Sequence, residues 1–514
     1  MKKNSMKKWT AAVVLGAVLT GAAWQTTLPL TESAPTAQAA AAGSEQSVTK
    51  APKYVFLFIG DGMSYPQIQA AADFQGAMKQ DAQASILDGP GKMPFMSFPA
   101  AGSATTYDST SFCPDSASTA TALSTGHKTY SGVINMNEQK TKAYETIAEK
   151  VKDQLGYKVG IISSVNLNHA TPAAFYAHQP SRNNYYEIGQ ELVASGFDYF
   201  AGGGLLSSEG QDGQQTSLYT LAEQAGYQVI TSQSEASQLS AEDGKALIIG
   251  ETLADSDALS YANDRAQNEW ALRDYVRKGI EVLDNDKGFF MMVEGGKIDW
   301  ACHANDAGSA VADTLALSDA VNEAIAFYNR HPQETLIVVT GDHETGGLTI
   351  GYAGTDYDTF LTNLDNQAIS YAKFDSNYVA DYKKNNTDFA TVLKDIKANF
   401  GLMTADDPEA RADSKLVLTA YELAQLKAAY DKTMSGAKVD KADQREYVLY
   451  GTYEPLTVTI THLLNHKSGI NFASYAHTGL PVPVFAQGVG HDRFKGYYDN
   501  TDIYKKIAAL LTIE

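Results

Sequence analysis

Five short apolar runs constrain this chain more than any other feature of its 514 residues. Residues 54–59, 159–163, 289–293, 335–340 and 482–486 are continuous rather than alternating, and Gly or Pro bounds them. Such runs predict strands buried on both faces, as in a parallel sheet. Helical patterns lie between them. Leu272, Val276, Ile280 and Leu283 share one helical face before Asn285-Asp286-Lys287-Gly288 turns the chain into the 289 run. Leu317, Val321, Ala324, Ile325 and Tyr328 repeat the pattern until His331-Pro332 stops it. Strand and helix in alternation predict an α/β fold with right-handed crossovers. At about 150 residues per domain the length suits three domains, or one large α/β unit with an insertion.

The residues that follow the runs point to chemistry. The 54 run leads into Gly60-Asp61-Gly62-Met63, and the 289 run into Glu294-Gly295-Gly296 with Asp299 and His303 beyond. The 335 run leads into Gly341-Asp342-His343-Glu344. Ligands of open α/β sheets gather beyond the carboxyl ends of the strands. Each acid alone could be a turn residue, since Gly-Asp-Gly is a common turn. Three carboxylate-bearing strand ends in register would repel one another unless cations sat between them, so metal binding is the economical explanation. Asp and His with no thiolate suit Zn²⁺ in an open site, while carboxylate and hydroxyl oxygens suit Mg²⁺. Spacing alone does not say which ion each group holds.

Asp115-Ser116-Ala117-Ser118-Thr119 predicts an N-cap and the first turn of a helix. Ser116 then sits where free N–H groups favour an anion. No His-based serine triad is evident, so a metal would have to activate the hydroxyl.

Taken together these segments, with His477-Thr478-Gly479, resemble the alkaline phosphatases, in that family's order and from about Lys53 to the end. The resemblance implies a three-layer α/β sandwich, a mostly parallel central sheet flanked by helices, with a crown-like insertion at about 350–470. It implies hydrolysis of small phosphate monoesters through phosphorylated Ser116. One Zn²⁺ would be held by Asp299, His303 and His477, and a second by Asp61, Asp342 and His343. Asp61 would bridge to a third ion, usually Mg²⁺, also bound by Thr171 and Glu294. Arg182 would grip two phosphoryl oxygens through its planar fork, with Asp115 beside it. The family also allows a homodimer. His169 stands where the best-known enteric relative has Asp, and Trp300 where it has Lys. The His/Trp pair resembles marine and cold-adapted bacterial members. It predicts a weaker Mg²⁺ preference and faster phosphate release.

The N-terminus carries a separate signal. Lys2, Lys3, Lys7 and Lys8 precede an uncharged run from Trp9 to Trp24, and Ala37-Gln38-Ala39 offers a small-x-small cleavage pattern. The run is short for a spanning helix of about 20 residues. Export to the periplasm or medium follows, without a stable membrane anchor, with 1–39 as signal peptide, 40–52 as leader and 53–514 as the catalytic domain. Cleavage removes four Lys and one Glu, taking the formal charge from −20 to −23. That acidity argues against nucleic acid as a bulk partner.

The other six His residues (His127, His178, His331, His462, His466 and His491) read as surface or hydrogen-bonding side chains. Cys113 and Cys302 could pair in an oxidising compartment or remain two buried free thiols; the flanking residues favour free thiols. Gly202-Gly203-Gly204 reads as a strand-to-loop turn. Thr419-Ala420-Tyr421-Glu422 reads as a capping box opening a helix to about Tyr430, and the polar insertion around it as a solvent-facing lid. Three rivals stand beside the phosphomonoesterase. A sulfatase needs a Cys/Ser-x-Pro-x-Arg motif, which Cys113-Pro114-Asp115-Ser116-Ala117 does not supply. A phosphodiesterase of the same superfamily typically lacks Thr171 and Glu294. An exported metal- or phosphate-binding protein has no need of Ser116 on the metal site.

Overall fold

The computed structural model describes residues 51–79, 89–411 and 414–514. The expected export signal and all but the last two residues of the leader lie outside the described residues. Ten strands form one sheet: β1 (Tyr54–Gly60), β2 (Ala100–Thr105), β3 (Lys158–Ser163), β4 (Tyr199–Gly202), β5 (Tyr227–Ile230), β6 (Lys245–Ile249), β7 (Phe289–Gly295), β8 (Thr335–Gly341), β13 (Val482–Gly488) and β14 (Gly496–Asp499). Two-residue strands β9 (Glu344–Thr345), β10 (Thr349–Ile350), β11 (Ile470–Asn471) and β12 (His477–Thr478) pair as β10–β11 and β12–β9 outside it. The large sheet runs in the order β14-β2-β13-β8-β1-β7-β3-β4-β6-β5.

All five apolar runs are strands of this sheet, and the fold is the expected α/β architecture. One detail differs. β13, the 482 run, is antiparallel to both neighbours, β8 and β2, whereas every other adjacent pair is parallel. A continuous apolar run reports burial on two faces and carries no information about direction. Here the chain reaches β13 from His477 at the functional edge, so the strand must run away from that edge.

Burial on both faces is complete at the centre. Tyr54, Phe56, Phe58, Met291, Val293, Ile337 and Val339 face one apolar layer, and Val55, Leu57, Ile59, Phe290, Met292, Leu336 and Val338 face the other. Helices Leu272–Leu283 and Ala307–Tyr328 cover the first face; helices Ser116–Thr125 and Thr501–Leu511 cover the second. The insertion is more than a polar lid. Phe374, Ile396, Phe400, Leu426, Leu456 and Ile460 are buried in the same apolar layer as Phe56 and Phe58. Its capping box at Thr419 and Glu422 opens helix Ala420–Ser435, which runs on to Gly436 in the left-handed region at φ 69°. The Tyr- and Lys-rich exterior hid that core from a compositional reading.

Register decides where the functional groups go. Gly60 pairs with Gly295 on one side and Gly341 on the other, while Ile59 and Ser163 both align with Glu294. The three carboxylate-bearing strands therefore end flush. Their exits pack closely: a Cβ on Gly341 would lie 1.9 Å from the Met63 carbonyl oxygen. Gly62 sits at φ +69°, and a Cβ there would lie 2.9 Å from Asp299 Cα. Gly341→Ala should therefore overpack the strand ends and cost about 1–3 kcal/mol. Denaturant unfolding measures this, and an unchanged midpoint would refute the close approach.

Candidate active site

Asp61, Glu294, Asp299 and Asp342 are all buried, at 0–3% exposure. Asp61 and Asp342 directly follow β1 and β8, Glu294 is the penultimate residue of β7, and Asp299 lies in the short helix Lys297–His303 after it. Ser116 reaches them from the helix Ser116–Thr125. Asp115 caps that helix by accepting from Ser118 N at 3.1 Å, which sets the first turn and leaves Ser116 at its opening position. Ser116 Oγ lies 3.1 Å from His343 Nε2 and 3.4 Å from Asp61 Oδ1. One hydroxyl at a helix N-terminus thus faces the carboxylate cluster.

The imidazoles are oriented through their outer nitrogens. His303 Nδ1 donates to the Tyr475 carbonyl at 2.6 Å, and His477 Nδ1 donates to the Pro114 carbonyl. Each ring then presents the Nε2 lone pair inward. These two Nε2 atoms lie 3.0 Å apart, with Asp299 Oδ1 at 3.4 and 3.5 Å from them. Two lone pairs and a carboxylate oxygen at such distances repel unless a cation lies among them. The donor set of Asp299, His303 and His477 therefore fits a divalent metal.

The second cluster brings Asp61, Asp299 and His343 together, and the third Asp61, His169 and Glu294. Asp342 stands at the edge of the second. Its Oδ2 lies 3.4 Å from His343 Nε2 and accepts from Thr119 Oγ1 at 3.1 Å, while Oδ1 accepts from Gly62 N and His343 N. Thr171 donates to Asp61 Oδ2 at 3.3 Å. Glu294 accepts from Ser163 Oγ through one oxygen, and its other oxygen, Oε1, is buried without a hydrogen-bond partner, as is His169 Nδ1. An unpaired carboxylate oxygen in a buried site fits a third cation, and the Asp, Glu and Thr oxygens suit a hard one.

Electrostatics agrees. Burial, followed by repulsion from Asp342, Asp299 and Glu294, pushes the Asp61 carboxyl far above its ordinary range. Burial raises Glu294 to about 7 against its Ser163 hydrogen bond, and burial with the charge of Asp299 raises Asp342 to about 8. Asp299 is the exception: burial opposes its ionisation, but His303, His477 and the Thr345 hydroxyl outweigh it and hold the carboxyl low. Burial keeps His343 neutral, and burial beside Arg182 lowers His169 to about 3.

Arg182 closes the site. Its guanidinium donates to Asp115 Oδ2 at 2.9 Å and stands 3.0 Å from His169 Nε2. Trp300 meets His169 edge-on at 5.9 Å and lies over the fully buried Lys297 ammonium, 4.7 Å from the ring centre. Every expected site residue thus lies at one edge of the sheet. Sequence reasoning passed over three supports: Thr119, Ser163 and Thr345, whose Oγ1 donates to Asp299 at 2.5 Å. Thr119 was legible one helical turn from Ser116, and Ser163 as a strand-end residue beside β7. The carbonyls of Pro114 and Tyr475 leave no trace in a sequence.

The remaining imidazoles have ordinary partners. His178 bridges Glu149 and Glu191, His127 stacks on Tyr144, and His491 bonds the Gly488 carbonyl. His331 packs on Tyr54 and Phe327. His462 and His466 bond Asn305 and Asn471. Cys113 is exposed, Cys302 buried, and both are free.

A family model described as alkaline phosphatase matches residues 52–513. The chain is 30% identical over 457 residues to Alkaline phosphatase 4 of Bacillus subtilis (strain 168), covering 87% of this chain and 86% of that protein. It is 28% identical over 511 residues to Alkaline phosphatase 3 of the same organism, covering 98% and 97%. Among solved structures, a cold-active alkaline phosphatase from a psychrophilic Shewanella species superposes with a TM-score of 0.71 at 28% identity, covering 89% of this chain and 99% of that one.

The carboxyl shifts give the metal-free protein a defined pH response. An acid with a raised folded-state pKa costs nothing below its unfolded value, about 4, and destabilises the fold as pH rises towards the folded value. Glu294 and Asp342 therefore weaken the fold between about pH 4 and 8, and Asp61 acts in the same direction. Asp299 acts oppositely, and its contribution is lost only in acid. Chelator-treated protein should melt lower at about pH 8 than at about pH 5.5, and added Zn²⁺ should remove most of that difference. Equal melting temperatures at the two pH values would contradict this.

Proposed function

Because the chain belongs to the alkaline phosphatase family and performs metal-dependent hydrolysis of phosphate monoesters, we propose that Ser116 is its nucleophile and that the surrounding carboxylates and imidazoles hold the metals. The observation that carries this reading is the buried Ser116 hydroxyl at a helix start, 3.1 Å from His343 and 3.4 Å from Asp61. Asp299, His303 and His477 hold one Zn²⁺, and Asp61, Asp342 and His343 a second. Asp61, Thr171 and Glu294 would hold a third divalent ion, with His169 beside it. When bound, the ions supply positive charge that eases deprotonation of the serine and of water and stabilises the departing oxygen.

The chain's own groups do the rest. Asp115 and His169 fix the guanidinium of Arg182, whose remaining N–H donors meet the phosphoryl oxygens. The N–H groups of the first helical turn add to that anion site. Ser116 Oγ forms a bond to phosphorus as the ester P–O bond breaks, and the alcohol leaves. Water then displaces Ser116 from the phosphoserine, releasing inorganic phosphate and restoring the hydroxyl. Pro114 and Tyr475 keep His477 and His303 in the tautomer that faces inward. Positioning and electrostatics, rather than a proton relay, are what such transfers need.

Ser116→Ala should lower the turnover of a chromogenic phosphate monoester by about 10³-fold or more while leaving metal content intact. Wild-type turnover by this variant would remove the assignment. Running the matching diester and sulfate in parallel, with and without chelator, separates the superfamily's other activities and a non-catalytic binding role. Near the phosphate, His169 and Trp300 bring no positive charge, so product release meets little resistance. Trp300→Lys should tighten inhibition by inorganic phosphate about tenfold, read from steady-state inhibition constants, and an unchanged constant would count against that role. For residues 1–39 we infer an export signal from the basic start, apolar run and Ala37-Gln38-Ala39. N-terminal sequencing of the exported protein should begin at Ala40; retention of Met1 would refute cleavage.

A further inference from the structure

A cavity of about 650 Å³ lies between the insertion and the segment that leads into His477. Helices Ala420–Ser435, Gln444–Tyr450 and Pro455–Ser468 form one side, and residues 471–475 the other. Its volume suits a small organic molecule. Tyr447, Leu463, Phe472 and Tyr475 supply apolar and aromatic wall, with the rings of His462 and His466 between them. Tyr475 lies 5.9 Å from His462 and 6.2 Å from Tyr447, ring to ring.

The cavity's chemistry is selective by omission. Although the chain has 40 basic and 60 acidic residues, no Asp, Glu, Lys or Arg among the described residues lies in this wall. Burial keeps both imidazoles neutral, His462 at about 4. Each ring donates its Nε2–H, His462 to Asn305 Oδ1 and His466 to Asn471 Oδ1, both at 3.0 Å, so that only the Nδ1 lone pairs stay uncommitted. A charged ligand would lose its hydration here and meet no charged side chain in the wall itself. An uncharged ring gains apolar burial and stacking.

The wall is also tied to the active centre. Asn305 accepts from His462 and donates to the Cys302 and Ser474 carbonyls, both at 2.9 Å, from a left-handed backbone at φ 51°. Tyr475, whose ring lines the cavity, holds His303 Nδ1 through its carbonyl. We propose that this cavity binds an uncharged aromatic ring and that its occupancy is felt at His303 through Asn305 and Tyr475. The second half rests on His303 belonging to the active centre. The ring can arrive as the alcohol half of an aryl phosphate or as a free neutral aromatic compound.

The probe is 2-naphthol, with binding to the metal-loaded enzyme followed by its fluorescence. Wild type and Ser116→Ala should bind it equally. Ala428→Trp, which fills the cavity from an exposed helix position, should bind about tenfold more weakly. Thr459→Phe fills it from the helix Pro455–Ser468 and serves if the first variant melts abnormally. If the ring belongs to the substrate, Ala428→Trp lowers kcat/KM for 2-naphthyl phosphate relative to glycerol phosphate. If it is a separate molecule, that ratio stands, and 2-naphthol alters kcat for glycerol phosphate in wild type but not in Ala428→Trp. Equal naphthol binding by wild type and both filled variants overturns the site. Binding without either kinetic effect overturns the link to His303. Full activity in Ser116→Ala would refute the nucleophile assignment and leave the naphthol result standing.

Discussion

Mutual repulsion among four buried carboxylates is the constraint on which the rest of this structure depends. Asp61, Glu294, Asp299 and Asp342 converge because β1, β7 and β8 end in register at Gly60, Gly295 and Gly341. Left alone, burial and like charge drive three of them towards the neutral form. The inward-facing lone pairs of His303 and His477, 3.0 Å apart, make the same demand. Bound cations satisfy both without protonating the acids, so the sheet's rigidity holds an arrangement that divalent metal stabilises.

The supports of that arrangement come from far along the chain. Pro114, just before the serine helix, holds His477, and Tyr475 holds His303. Thr119 and Thr345 each take an oxygen of a carboxylate in the cluster. The segment 472–477 therefore serves two regions at once, as a wall of the insertion's aromatic cavity and as the mount of two imidazoles. The insertion shares its apolar layer with the central sheet rather than standing apart. Changes in it can reach the metal cluster through few bonds.

Charge must be read locally. The chain's formal charge of −20 describes an acidic surface that disfavours nucleic acid. At the strand ends the same acids form the proposed divalent-cation cluster, and Arg182 and a helix N-terminus the proposed anion site. A neutral aromatic cavity lies beside it. Three electrostatic environments sit within one fold because buried groups answer to their nearest neighbours and not to the net charge.

Much of this was legible without coordinates. Apolar runs gave the strands, Gly-flanked acids gave the functional edge, and Asp115 gave the cap of the serine helix, because each depends on neighbours close in the chain. Tertiary structure alone decided the reversed direction of β13, the flush register of the strand ends and the buried core beneath the insertion's polar exterior. It also decided that the Pro114 and Tyr475 carbonyls would choose the imidazole tautomers. Local sequence encodes periodicity, capping and turn chemistry. Direction, register and backbone-carbonyl contacts arise between segments hundreds of residues apart, where no spacing rule reaches, and packing fixes them.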